Sequence, residues 1–203
     1  VHSINLPGWI LSLGGATVLL VSGCATKIED YKDTTPVFAM EEYFSGPLIA
    51  RGMIQNHAGK LTRNFCVEAM GSWQGHGDDR KGMLKETFYF NDGEITHRTW
   101  LLIPDPEQGA GAYQATAGDV IGVGSAREVG RAFNMRYVLS LPVKNKDGET
   151  KVYELKVNDW MYRLDDQRVV NRSTLSKWGI DVAAVTLFFE KGNGKCERPE
   201  VAK

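Results

Sequence analysis

Asp159, Trp160, Tyr162, Arg172, Lys177 and Trp178 put carboxylate, aromatic and cationic side chains into one short span, and Arg98, Trp100 and Arg136 could join them from earlier in the chain. Aromatic rings beside a few fixed charges can line a cup for an amphipathic ligand such as a fatty acid, with Arg or Lys holding its head group. The same residues also suit a structural role, in which a paired Asp and Arg fix strand register and tryptophans plug an interior. A catalytic use would make Asp159 an acid or base, with Arg172 or Lys177 holding an anion. No nucleophile–base pair accompanies it, so no catalytic residue is assigned and the chain reads as a binding protein before an enzyme.

Other chemistry is sparse. The sequence contains no Gly-x-Ser-x-Gly elbow, no His-Glu-x-x-His, no Cys-x-x-Cys and no phosphate-binding loop. Gly75-His76-Gly77-Asp78-Asp79 sets an imidazole beside two carboxylates, but such a string more often makes a hairpin loop than a metal site. Gly122-Val123-Gly124 lacks the third glycine and the following helix of a nucleotide fingerprint, and reads as small residues easing a strand bend. No cofactor and no metal are implied.

The elements that must position these groups are strands. Leu61–Trp73, Met83–Phe90, Glu94–Ile103, Tyr113–Val123, Phe133–Val143, Tyr153–Leu164, Arg168–Trp178 and Val182–Lys191 are strand-like runs separated by turn signals. Asn91-Asp92-Gly93 is the strongest of those signals, because Gly takes positive φ cheaply. Lys146-Asp147-Gly148 and Asp165-Asp166 mark two more. Ser125–Arg131 is the best helix candidate, at one or two turns. Long strands at short spacing predict an all-β, antiparallel barrel of the lipocalin type, or a strongly bent sheet, of about 8–10 strands. Alternation then puts Asp159 on a face with Tyr153, Leu155, Val157 and Met161, where an unpaired carboxylate is costly. Arg136 or Arg172 is its expected partner.

The N-terminus supplies an address. Trp9 to Val21 is apolar and uncharged, shorter than the roughly 20 residues needed to span a bilayer but suited to a signal-peptide core. Val21-Ser22-Gly23-Cys24 follows as a lipobox, with cleavage after Gly23 and lipid on Cys24. Every Asp, Glu, Lys and Arg of the chain lies beyond it. Residues 1–23 are therefore read as signal peptide, 24–35 as a lipid-anchored tether, 36–191 as one barrel domain and 192–203 as a polar tail. With Ala25 and Thr26 after the cysteine and no Asp in the second position, the expected location is the bacterial envelope, on the outer membrane facing the periplasm. The anchor makes the membrane the first partner, and a small lipid is the candidate ligand. A structural or assembly role through contacts with an unidentified envelope protein is the alternative.

Hydrophobic residues at 42% and charged residues at 24% give an ordinary globular composition, and a net charge of −1 offers no basic footprint for nucleic acid. Beyond Cys24 two cysteines remain, Cys66 and Cys196. An oxidising periplasm would permit a disulfide between them; otherwise Cys66 is a buried thiol acting as a small hydrophobe.

Glu41-Glu42-Tyr43-Phe44-Ser45-Gly46-Pro47-Leu48, Asp159-Trp160-Met161-Tyr162, the run Asn171 to Gly179 and the closing Thr186-Leu187-Phe188-Phe189 resemble the bacterial lipoprotein family catalogued as domain of unknown function 3833. The likeness covers roughly Pro36 to Lys191. It implies a proteobacterial, lipid-anchored periplasmic domain with a lipocalin-like barrel. It implies no activity and carries over no catalytic residue.

Overall fold

The computed structural model describes residues 26–144 and 147–198. Ten strands follow one another along the chain: β1 (Gly46–Asn56), β2 (Leu61–Gln74), β3 (Lys81–Phe90), β4 (Ile95–Pro104), β5 (Ala112–Thr116), β6 (Val120–Val129), β7 (Ala132–Lys144), β8 (Thr150–Arg163), β9 (Arg168–Lys177) and β10 (Ile180–Lys191). Each pairs antiparallel with its neighbour in sequence, and β1 pairs with β10 from Leu48↔Lys191 to Asn56↔Ala183. The result is a closed antiparallel barrel, which leaves no free sheet edge. A period of two along every strand sends alternate side chains into the lumen.

The all-β barrel matches the expectation from sequence, and the turns at Asn91-Asp92-Gly93 and Asp165-Asp166 join β3 to β4 and β8 to β9. Two local expectations fail. The run Tyr113–Val123 is two strands, split by a turn at Ala117–Asp119 in which the Val120 N–H donates to the Ala117 carbonyl at 3.1 Å. Ser125–Arg131 is largely strand rather than helix, because Ser125, Ala126, Arg127 and Glu128 pair in register with Arg136 to Phe133 on β7. Sheet context overrides a weak local preference there. At Gly122 the backbone takes φ +70 where the β6–β7 register shifts, consistent with glycines easing a bend.

One end of the barrel is plugged by the segment before β1. It contains the short helix α1 (Met40–Tyr43), and its Phe38, Tyr43 and Phe44 are fully buried. Phe38 stacks on Phe133 with centroids 5.5 Å apart, and Phe44 meets Phe189 edge-on at 5.6 Å. Polar contacts lock the plug to the wall. Glu128 accepts the Met40 N–H at 2.8 Å, and the buried Arg163 donates to the Val37 carbonyl at 2.9 Å and to Glu42 at 2.8 Å. The plug approaches β2 so closely that a Cβ on Gly71 would lie 1.6 Å from the Phe44 carbonyl oxygen.

Both ends of the described chain lie against the outside of the barrel. Ile28–Tyr31 forms a single 3-10 turn, and Tyr31 packs on Trp160 and Tyr162 at 5.7 and 5.4 Å. Part of the expected tether is thus bound to the wall. At the other end the tail crosses β1, with Gly194 against Ile49, and reaches β2, where Cys196 forms a disulfide with Cys66. The Cys196 N–H also donates to Glu68 at 3.0 Å. Of the two alternatives for Cys66, the cross-link is the one realised. The lipobox and Cys24 lie outside the described residues.

Candidate functional site

Between the plug and the opposite, open end, the lumen holds a cavity of about 400 Å³. Its walls come from every strand except β5 and β6, with Met40 of the plug at its floor. Phe65, Phe88, Phe90, Trp100, Leu155, Val157 and Leu187 make most of it apolar. Ile54, Arg63, Phe90, Leu141 and Ala183, near the strand ends away from the plug, form its rim. Small-ligand sites are commonly concavities of this size, mostly apolar with a few placed polar groups.

Here the polar groups converge from five strands. Asp159 on β8 projects inward and is 6% exposed. Asn171 and Ser173 on β9 both donate to its Oδ1, Ser173 at 2.9 Å. Asp159 is in register with Ser173, so the two share a face and their bond is dictated by the pairing. Glu86 on β3 is 7% exposed and lines the same cavity as Trp100. Arg98 on β4 is opposite Glu86 in register, and its guanidinium is taken by Asp119, through Nε at 3.0 Å and Nη2 at 2.5 Å to a single oxygen. Tyr137 on β7 meets Trp100 edge-on at 5.1 Å.

Burial dominates the electrostatics. It pushes the Glu86 carboxyl up to about 7, with Arg98 opposing and Asp159 and Asp119 adding to the rise. Burial also raises the Asp159 carboxyl, against the lowering effect of its Asn171 and Ser173 hydrogen bonds and of Arg98. The Tyr137 phenol is held protonated for the same reason, with Asp159 reinforcing it.

Of the residues singled out in the sequence, the structure brings Arg98, Trp100 and Asp159 together in the lumen. The others lie elsewhere. Trp160 and Tyr162 have the opposite parity to Asp159 on β8 and face outward, stacked 6.0 Å apart beneath Tyr31. Arg172 is in register with Trp160 and exposed, and Arg136 is in register with Asn158 and lies in an open groove on the outer wall with Arg127 and Lys27. Neither arginine can therefore partner Asp159, because residues opposite one another on paired strands share a face and both belong to the wrong one. Asn171 and Ser173 take that role. Lys177 lies by the rim, with its ammonium 4.2 Å from the Tyr153 ring centroid, and Trp178 is 90% exposed at the β9–β10 turn. Gly75–Asp79 forms the β2–β3 connection, and among the described residues no group of three or more His, Cys, Asp and Glu side chains is placed to hold a metal.

Glu86, Asn171, Ser173 and Tyr137 complete the site. The alternation that exposes Asp159 as buried also finds Glu86, between Leu84 and Phe88 on the inward face of β3. Nothing local points to Asp119, a turn carboxylate whose role comes from the fold alone.

The lyase whose structure is described as "S-type Phycobiliprotein Lyase CPES from Guillardia theta" shares this fold, with a TM-score of 0.53 over 78% of this chain and 95% of that one. Sequence identity is 10%, so the likeness concerns architecture only. No curated protein matches the chain. A family model described as a protein of unknown function (DUF3833) matches residues 18–191.

Proposed function

The chain belongs to the DUF3833 family of proteins of unknown function, and we propose that it binds a small amphipathic ligand of the lipid class inside its barrel. The observation that carries this is the lumen itself, an apolar cavity of about 400 Å³ with one polar cluster deep in its wall. An occupant that covers the apolar wall removes it from water, which is favourable by roughly 25 cal/mol per Å² of apolar surface covered. One polar cluster suits one head group. The fold similarity to a phycobiliprotein lyase adds the general precedent of a barrel with an interior.

The proposed setting is the bacterial envelope, with the barrel held to the outer membrane by lipid on Cys24. The uncharged run before Cys24 supports it, and so does the Cys66–Cys196 disulfide, which suits an oxidising compartment. Labelling cells with a radioactive fatty acid tests the anchor: label enters the parent and not Cys24→Ala, and an unlabelled parent or a labelled variant refutes the assignment.

Filling the cavity tests the binding function. Ala183 lines the rim, and Ala183→Trp would place a large ring across it. Binding of an apolar fluorescent dye is expected to fall about tenfold or more in this variant. Arg136→Ala, on the outer wall, should leave it unchanged. Equal dye binding by the parent and Ala183→Trp would overturn the interior as the site.

A further inference from the structure

The polar cluster also states what kind of head group it accepts. The question rests on the binding function proposed above, and it turns on which polar atoms of the lumen are still available. Arg98 is engaged through Nε and Nη2 with Asp119. Arg63, at the rim, is bound through Nη2 to both Asp92 and Glu94 at 2.7 Å. Its Nε keeps no partner, but the charge of the group is already matched by two carboxylates. Neither guanidinium is free to serve as the counter-charge for an anionic head.

The acceptors are in the opposite state. Asn171 and Ser173 both bond to Oδ1 of Asp159, and among the described residues no hydrogen bond reaches Oδ2. Glu86 lines the same cavity with acceptor capacity to spare, since a carboxylate offers about four lone-pair sites. Counted together, Glu86, Asp119 and Asp159 set three carboxyl groups around the one guanidinium of Arg98. A buried carboxylate without its full complement of donors is costly, and a ligand that brings donors and positive charge removes that cost.

We propose that the lumen selects a single-chain amphiphile with a protonated amine head, set against Asp159 and Glu86, in preference to a fatty acid. A carboxylate head would meet two acidic groups and find both arginines occupied. An alcohol head could donate one hydrogen bond but would bring no charge.

The dependence on pH follows from the groups facing Glu86. These are Arg98 from β4, Asp119 from the β5–β6 turn, Tyr137 from β7 and Asp159 from β8, with Arg63 from β2 at the rim. As pH rises through about 7, Glu86 loses its proton and the site gains negative charge. Amine binding should strengthen from pH 6 to pH 8, and carboxylate binding should weaken over the same interval.

The experiment is displacement of a lumen-bound apolar dye from the full chain by dodecylamine, dodecanol and dodecanoate, which share a chain length and differ in the head. Dodecylamine is expected to displace dye at about one-tenth the concentration required of dodecanoate at pH 8. In Asp159→Asn with Glu86→Gln that ratio should collapse toward one, while a circular dichroism spectrum matching the parent's reports an intact fold. Dodecanoate binding as tightly as dodecylamine, or a ratio unmoved in the double variant, overturns the amine preference while leaving an interior site standing. Failure of all three to displace dye overturns the interior site and the preference with it.

Discussion

Glu86 and Asp159 are buried carboxyl groups in a wall made mainly of rings and aliphatic side chains, and their protonation links the cavity to stability. The Glu86 carboxyl sits at about 7 in the folded protein against 4.5 for an exposed one. The folded state therefore holds its proton while the unfolded chain has released it, and stability falls as pH rises from about 4.5 to about 7. The cost above that window is on the order of 3 kcal/mol at 1.36 kcal/mol per pKa unit. Glu86→Gln removes the ionisation, so the variant should gain on the parent as pH rises through the window, with little difference below pH 4.5. Urea midpoints of the two proteins at pH 4 and pH 8 check this, and a gap independent of pH would refute it. The parity of strands made Asp159 legible as a buried acid from sequence, and the same rule applied to Leu84-Glu86-Phe88 reaches Glu86. Its application to Trp160, Tyr162 and Arg172 shows why closeness in sequence misled: neighbours along a strand point to opposite sides of the sheet.

At the scale of elements, the two ends of the barrel are built differently. The plug end is locked by close approach, and Gly71→Ala would drive a Cβ into the Phe44 backbone. The expected loss is about 1–3 kcal/mol, the usual range for overpacking, read as a lower denaturation midpoint. At the open end the β9–β10 turn places Trp178 at φ +52 and Gly179 at φ +82. Two-residue hairpin turns of that kind favour Asn-Gly, and a bulky residue in the left-handed region costs about 1 kcal/mol. Trp178 buries little in return, being 90% exposed, so Trp178→Asn should raise stability by about that amount. An unchanged or lowered midpoint would show that the indole contributes through its contact with Lys177, whose ammonium lies 4.7 Å from its ring. Strong turn signals such as Asn91-Asp92-Gly93 were readable in advance. The β5–β6 turn was not, since Ala117-Gly118-Asp119 interrupts a run whose apolar character continues on both sides. β1 was likewise not delimited from sequence, because its buried segment Leu48-Ile49-Ala50 is covered on both faces and does not alternate.

For the whole molecule, closure of β1 on β10 makes the ends of the domain interdependent, and the disulfide adds a covalent tie. Cys66 and Cys196 are 130 residues apart, so the cross-link restricts most of the unfolded chain. Chain-entropy reasoning gives a stabilisation of about 4–5 kcal/mol for a loop of this length. Replacing both cysteines with serine should lower stability by no more than that while keeping the strand signal in circular dichroism; a fully unfolded variant would mean that the barrel cannot stand without its tail.

On the proposed function the lumen is a ligand site rather than a space filled by its own side chains. Native mass spectrometry of the full chain, purified from cells without added lipid, tests it most directly. An occupied lumen gives a single added mass that is released on denaturation, extracts as an amphiphile and is absent from Ala183→Trp. A chain with no mass that denaturation releases, joined to dye binding that Ala183→Trp leaves untouched, would contradict an occupied lumen.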